Sequence, residues 1–287
     1  MALKFGTDGV RGVANAELTP EFILALGRAA ARVLGGYTFL VGRDTRASGS
    51  LVQAALSAGL ASEGVDVVDL GVIPTPGVAA LSAERRLGAA VISASHNPFA
   101  DNGVKLFAPG GKKLPDEVER RLEEELAADR AAPAGGAKTG AAVGRLRRDD
   151  DAIEWYRHRL ERSIDGRDLS GLKVVLDCAH GAAVATAPGV FRSVGAHVLT
   201  TADSPDGINI NAGVGATVPE AVAAKVVEAE ADFGLAFDGD ADRVIAVDAQ
   251  GEVVDGDQIM AIAAIDLHAR GLLRDDTVVV TVMTNLG

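Results

Sequence analysis

Helix-type and buried-strand patterns alternate along nearly the whole chain, and that alternation limits the folds open to it. Thr19-Pro20 supplies an N-cap and a first-turn proline, the helix runs through EFILALGRAAARVL, and Gly35-Gly36 ends it. YTFLVGRD then reads as a buried strand. The helix SLVQAALSAGLASEG, the strand VDVVDLG, a further helix and the strand GAAVISA follow, and PDEVERRLEEEL closes a first unit. A second unit begins at the helix DDDAIEWYRHRL. Its strands are LKVVLDC, AHVLT and DFGLAFD, separated by helices around AAVATAPGVFRSVG and VPEAVAAKVVEAEA. GEVVDGDQIMAIAAIDLHARGLL opens a third unit leading to the strand TVVVTVM. Strands alternating with helices of this length predict α/β layers with largely parallel pairing.

The expected boundaries are 1–148, 149–251 and 252–287, the last only the start of a domain. Residues 129–148 lose the apolar period and fill with Ala, Gly and Pro, which predicts an exposed connection with Arg145, Arg147 and Arg148 as solvated charges. A formal net charge of -12 argues against a general nucleic-acid binder but leaves room for a small anionic substrate held by a few local cations. Cys178 is the only cysteine, which excludes an intrachain disulfide and a cysteine-based zinc site. No apolar run is long enough to cross a bilayer, and the first residues lack a signal-peptide pattern. The expectation is a cytoplasmic protein without a membrane partner.

Two short stretches carry candidate chemistry. In VISASHNPFADNGVK the apolar run ends at Ile92 and gives way to Ser95-His96-Asn97-Pro98, with Asn102-Gly103 and Lys105 beyond, all read here as a loop. A hydrolase-type serine needs a base and an orienting group; His96 is its sequence neighbour, badly placed for that task, and no G-x-S-x-G occurs. On the SASHNP hexamer alone, a structural turn is the ordinary reading. In FDGDADR, Asp238, Asp240 and Asp242 alternate with small residues at a strand's C-terminal end, where open α/β sheets place ligands. Three hard carboxylates suit Mg²⁺, although a solvated acidic turn is the plain alternative. An EF-hand is excluded, since Arg243 and Ala249 stand where that loop needs Gly and Glu. Phosphoryl transfer would unite the two stretches: a serine carrier, a cation at the aspartates, Lys105 and His96 for the proton, and Arg11 and Arg243 for the phosphate oxygens.

At these residues the chain resembles the α-D-phosphohexomutase family. The matching pieces are FGTDGVRG at 5–12, SASHNP at 93–98, DNGVK at 101–105, INAGVGATVPEA at 208–219, DGDADR at 238–243, VDGDQI at 254–259 and VTVMTNLG at 280–287. The resemblance implies an α/β fold of repeated three-layer α/β/α domains with mixed, largely parallel sheets. It implies phosphorylation at Ser95 and Mg²⁺ held by Asp238, Asp240, Asp242 and a phosphoserine oxygen. It also implies acid/base or phosphate contacts at Lys105, His96, Arg11 and Arg243. The activity implied is interconversion of glucosamine 6-phosphate and glucosamine 1-phosphate through a hexosamine 1,6-bisphosphate, with a homodimer possible in the full-length enzyme. A mannose- or glucose-phosphate mutase and a non-catalytic sugar-phosphate binder are the alternatives. Family members have four domains, so the chain is expected to lack most of the third and all of the fourth. Their sugar- and phosphate-binding loops would go with them, predicting a weak mutase and a mobile or self-associating segment after about Gly251. Ala241 and His180 depart from the Gly and Asn common in relatives.

Overall fold

The structure is a computed structural model that describes residues 9–131, 138–282 and 284. Residues 5–8 of FGTDGVRG, residues 132–137 of the expected connection, and Met283 and residues 285–287 of VTVMTNLG lie outside the described residues.

In chain order the first sheet and its helices comprise β1 (Val10–Val13), α1 (Pro20–Leu34), β2 (Thr38–Arg43), α2 (Gly49–Ser62), β3 (Asp66–Val72), α3 (Thr75–Arg85), β4 (Gly88–Ile92), β5 (Asp101–Ala108), β6 (Lys112–Lys113), α4 (Asp116–Ala131) and β7 (Leu146–Arg148). The helix α5 (Ala152–Arg162) leads to a second set: β8 (Lys173–Asp177), α6 (Ala187–Ser193), β9 (His197–Thr201), α7 (Pro219–Ala229), β10 (Phe233–Phe237), β11 (Val244–Asp248), β12 (Val253–Val254) and α8 (Gly256–Ala269). The first sheet runs β1-β5-β4-β2-β3-β7, with β6 beside β5, and the second runs β12-β11-β10-β8-β9. Each sheet is mixed: β4-β2-β3-β7 and β10-β8-β9 pair in parallel, while β1, β5, β6, β11 and β12 add antiparallel edges.

Helices cover both faces of each sheet. Phe22, Ile23 and Leu26 of α1, Leu56 and Leu60 of α2, and Leu122 and Leu126 of α4 form one core with Phe39 and Val41. On the opposite face Val78 and Leu81 of α3 meet Leu40, Val68 and Val91, and Ala152 and Tyr156 of α5 join them. Around the second sheet, Ala187 and Phe191 of α6 pack on Val174 and Leu176, and Val222 and Val226 of α7 pack on Val175 and Ala236. Among the described residues no helix is long and apolar enough to cross a membrane.

The start of α1 follows its sequence: the Thr19 hydroxyl accepts from the Phe22 N–H at 3.3 Å and Pro20 opens the first turn. Its crossing with α2 is a backbone contact. A Cβ built on Gly27 would stand 2.4 Å from the Leu56 carbonyl oxygen, and one on Gly59 would stand 2.2 Å from that of Leu24.

Three expectations need correction. DNGVK is strand, not loop: β5 pairs antiparallel with β4, placing Lys105 opposite Val91. The stretch 129–148 is only partly a connection, because α4 continues to Ala131 and β7 extends the sheet. Polar composition hid β7; what makes it a strand is the open edge of β3, where Val67 N–H donates to the Arg145 carbonyl. Residues 277–282, expected as the strand TVVVTVM, form none, and Val279 and Val282 are 90% and 100% exposed. A strand needs a hydrogen-bonding neighbour, and none lies beside them among the described residues.

Gly59→Ala is expected to destabilise the chain by about 1–3 kcal/mol, since its methyl group must push two helix backbones apart. Urea denaturation checks this; an unchanged midpoint would mean that the α1–α2 contact relaxes without cost.

Candidate active site

Ser95 follows β4 at the C-terminal end of that parallel strand, and the aspartate loop follows β10 at the equivalent end of the second sheet. The two loops meet. Ser95 Oγ donates to Asp238 Oδ2 at 2.6 Å, although the residues are 143 positions apart. Ser95 has φ 53, a left-handed conformation unusual for serine. Its N–H donates to Ser93 Oγ at 2.8 Å, and Ser93 Oγ donates in turn to Asp44 Oδ2 at 2.7 Å. This turn also brings Ser95 Oγ within 3.2 Å of His96 Nδ1, so the two neighbouring side chains do meet, contrary to the expectation from their adjacency.

The organiser of this loop, Arg46, escaped the sequence reading. It is the largest fully buried side chain among the described residues. Nε donates to Asp44 Oδ2 at 2.8 Å, and one terminal nitrogen reaches the carbonyls of Ser95 and Asn97, both at 2.8 Å. The other reaches the carbonyls of Pro98 and Asp101. All the guanidinium N–H groups are thereby used. The signal available was Asp44-x-Arg46 directly after a buried strand, charges that a fold buries only when paired.

The aspartate loop is pressed against the serine loop. A Cβ on Gly239 would fall 2.6 Å from the Ser95 carbonyl oxygen and 2.9 Å from Asn211 Nδ2, so a side chain there would separate the loops. Asn211 Nδ2 donates to the Ser95 carbonyl at 2.9 Å, adding a second tie between the units. Ala241 has φ 55 and His180 φ 49, the conformation that explains why Gly and Asn suit these two positions.

Asp238, Asp240 and Asp242 each offer an oxygen, and these oxygens lie within 4.8 Å of one another. Asp238 and Asp240 are 1% and 5% exposed. Asp238 Oδ1 accepts from the Arg243 N–H at 3.2 Å. Asp240 Oδ2 accepts from Thr75 Oγ1 at 2.5 Å, while Asp240 Oδ1 is buried without a hydrogen-bond partner. Lys105 Nζ lies 3.9 Å from Asp242 Oδ2, and Arg243 Nε lies 3.9 Å from Asp242 Oδ1. Arg11 sits on β1 opposite Gly103 of β5, on the far side of β5 from β4. A buried, partnerless carboxylate oxygen beside two more carboxylates is a donor set that fits a hard divalent cation. Burial, then the charges of Asp238 and Asp242, push the Asp240 carboxyl up to about 7, against the opposing Thr75 hydrogen bond.

Models of the phosphoglucomutase/phosphomannomutase family match residues 2–132 as α/β/α domain I and residues 154–251 as α/β/α domain II. The chain belongs to this family. It is 54% identical over 294 residues to the phosphoglucosamine mutase of Pelotomaculum thermopropionicum, covering 100% of this chain and 65% of that protein. The phosphoglucosamine mutase of Saccharopolyspora erythraea is also 54% identical, over 295 residues and with the same shares. The chain thus spans 65% of the length of the curated relatives it matches. A phosphoglucomutase/phosphomannomutase family protein from Burkholderia thailandensis superposes with TM-score 0.81 at 29% identity, over 93% of this chain and 59% of that one. An Aspergillus fumigatus N-acetylphosphoglucosamine mutase, solved with GlcNAc-6P and magnesium, shares the fold at TM-score 0.57 and 16% identity, over 96% of this chain and 57% of that one. VDGDQI, one of the family-like pieces, has a local structural purpose: Asp255 and Gln258 form a capping box at the start of α8.

Two outcomes follow from this geometry. Without metal, folded Asp240 keeps a proton up to about pH 7 that an unfolded aspartate releases near pH ~3.9. Above the unfolded value the folded state therefore binds more protons, and stability falls as pH rises between these limits. In chelator, the melting temperature should decline across this window, and Asp240→Asn should flatten the decline; a flat parent profile would contradict it. Arg46→Lys should cost about 3–5 kcal/mol in urea denaturation, because an ammonium cannot satisfy the carbonyls that a guanidinium reaches. A loss within experimental error would remove Arg46 as organiser of the loop.

Proposed function

We propose that the chain carries the phosphoryl-transfer half of a phosphosugar mutase, interconverting glucosamine 6-phosphate and glucosamine 1-phosphate through a hexosamine 1,6-bisphosphate. The observation that carries this reading is the Ser95–Asp238 hydrogen bond of 2.6 Å, which sets a hydroxyl at the acidic cluster. A phosphoryl group on that hydroxyl would face three carboxylates, so it is tolerable there only with a cation between them. Asp238, Asp240 and Asp242 are the residues that would hold Mg²⁺, together with an oxygen of phosphorylated Ser95. When bound, the ion would neutralise phosphate charge and polarise the transferring group.

The remaining work belongs to the side chains. Ser95 Oγ accepts the phosphoryl group from the bisphosphate and returns it to the sugar hydroxyl. His96, 3.2 Å from Ser95 Oγ, and Lys105, beside Asp242, are the proposed groups for moving protons or contacting phosphate. Arg243 and Arg11 are proposed to steady phosphate oxygens, Arg243 through its place in the aspartate loop and Arg11 through the strand edge next to β5. The buried carbonyl contacts of Arg46 and Asn211 keep the serine loop in one geometry before substrate arrives.

Glucosamine as the sugar is supported by the names of the relatives at 54% identity. The domain limits 1–148, 149–251 and 252–287, a cytoplasmic location, and a homodimer of the longer protein complete the proposal.

The test is transfer itself. The chain and Ser95→Ala are incubated with Mg²⁺ and glucose 1,6-bisphosphate and read by intact mass and phosphopeptide. A phosphate-sized gain on Ser95, absent from the alanine variant, is expected. No gain on this chain or on one extended to the length of its relatives would overturn the reading.

A further inference from the structure

Asp240 is held by a residue that does not belong to its own sheet. Thr75 opens α3 of the first sheet's unit, directly after the two residues, Ile73 and Pro74, that follow β3. As the first residue of the helix, its N–H has no partner within α3. That N–H donates to the Asp240 carbonyl at 2.9 Å, and Thr75 Oγ1 donates to Asp240 Oδ2 at 2.5 Å. One residue thus grips both backbone and side chain of Asp240 across 165 positions of sequence. Thr75 is 4% exposed and Asp240 5%, so the bond is made out of bulk solvent.

The grip is selective between the two carboxylate oxygens. Oδ2 is committed to Thr75, while Oδ1 is buried without a hydrogen-bond partner. The loop is also fixed by the Ala182 N–H, which donates to the Gly239 carbonyl at 2.8 Å. These ties restrict rotation of Asp240 and leave Oδ1 as its oxygen without a hydrogen-bond partner.

We infer that Thr75 is a positioning residue for the acidic cluster: it fixes Asp240 so that Oδ1 alone is presented to a divalent cation. The inference rests on the proposed reading of Asp238, Asp240 and Asp242 as a cation site. It makes that site a property of both units, because α3 of one sets a ligand carried by the other. Outer partners of ligating carboxylates commonly alter metal affinity about tenfold to a hundredfold when removed.

The experiment measures Mn²⁺ binding to the 287-residue chain by electron paramagnetic resonance, with melting temperature recorded in chelator for each variant. Thr75→Val keeps the shape and removes the donor, and it should weaken Mn²⁺ binding by about tenfold or more. Thr75→Ser, which keeps the hydroxyl, should bind as the parent does. Should the valine variant fail to fold, Thr75→Ala, which retains the backbone bond, is read in its place. A folded valine or alanine variant with parental Mn²⁺ affinity would overturn the inference, as would a serine variant no better than valine. Asp238→Asn reports separately on the cluster. A parent chain that binds no Mn²⁺, or binds it as well with Asp238→Asn, defeats the cation reading and this inference with it.

Discussion

A guanidinium sealed from solvent is the constraint on which the serine loop depends. Arg46 lies under residues 95–101 and turns their carbonyls inward, and Asp44 balances its charge. An arginine buried with even one donor unmet would be costly, so the loop carbonyls and Arg46 require one another. The left-handed backbone at Ser95 is strained for a serine and persists because the carbonyl on one side and the N–H on the other are both tied down. The Ser93–Asp44 link extends the same network into β2's end.

The second constraint is electrostatic and runs between the units. Three carboxylates gather where Lys105 Nζ and Arg243 Nε each stand 3.9 Å from an oxygen of Asp242. Such crowding is tolerated because the loop is held by uncharged donors: the Arg243 N–H, the Thr75 hydroxyl and the Thr75 N–H. Burial, and then the charges of Asp238 and Asp242, drive the Asp240 carboxyl toward its neutral form, and the Thr75 hydrogen bond only partly opposes them. Glycine at 239 makes the contact sterically possible, and Asn211, Thr45 and Ala47 stitch the remaining seam through the carbonyls of Ser95, His180 and Gly207.

Much of the fold was legible in the chain. The capped start of α1, the buried run of β4 and the helix α7 follow from local pattern, because each is set by neighbours a few residues away. β5 and β7 were not legible for the opposite reason. DNGVK carries turn residues, and LRR carries charge, yet each is a strand because an existing sheet edge offers hydrogen bonds to its backbone. Residues 277–282 show the converse: strong strand residues without a neighbouring strand among the described residues stay unpaired. Ser95 and the three aspartates could be singled out by residue type and spacing. Arg46 and Thr75 could not be weighted correctly, since an arginine and a threonine near turns look ordinary until their burial is known.

By itself the sequence determined the alternation of helices and strands, the two loops worth inspecting and the chemistry their side chains could perform. These depend on periodicity, caps and functional groups, which are properties of short stretches. Only the tertiary structure decided that Ser95 and Asp238 share a hydrogen bond, that Lys105 reaches Asp242 from a strand, and that Thr75 grips Asp240 from the other unit. Those relations join residues more than a hundred positions apart, and they exist only once two sheets bury their faces and press their loops together.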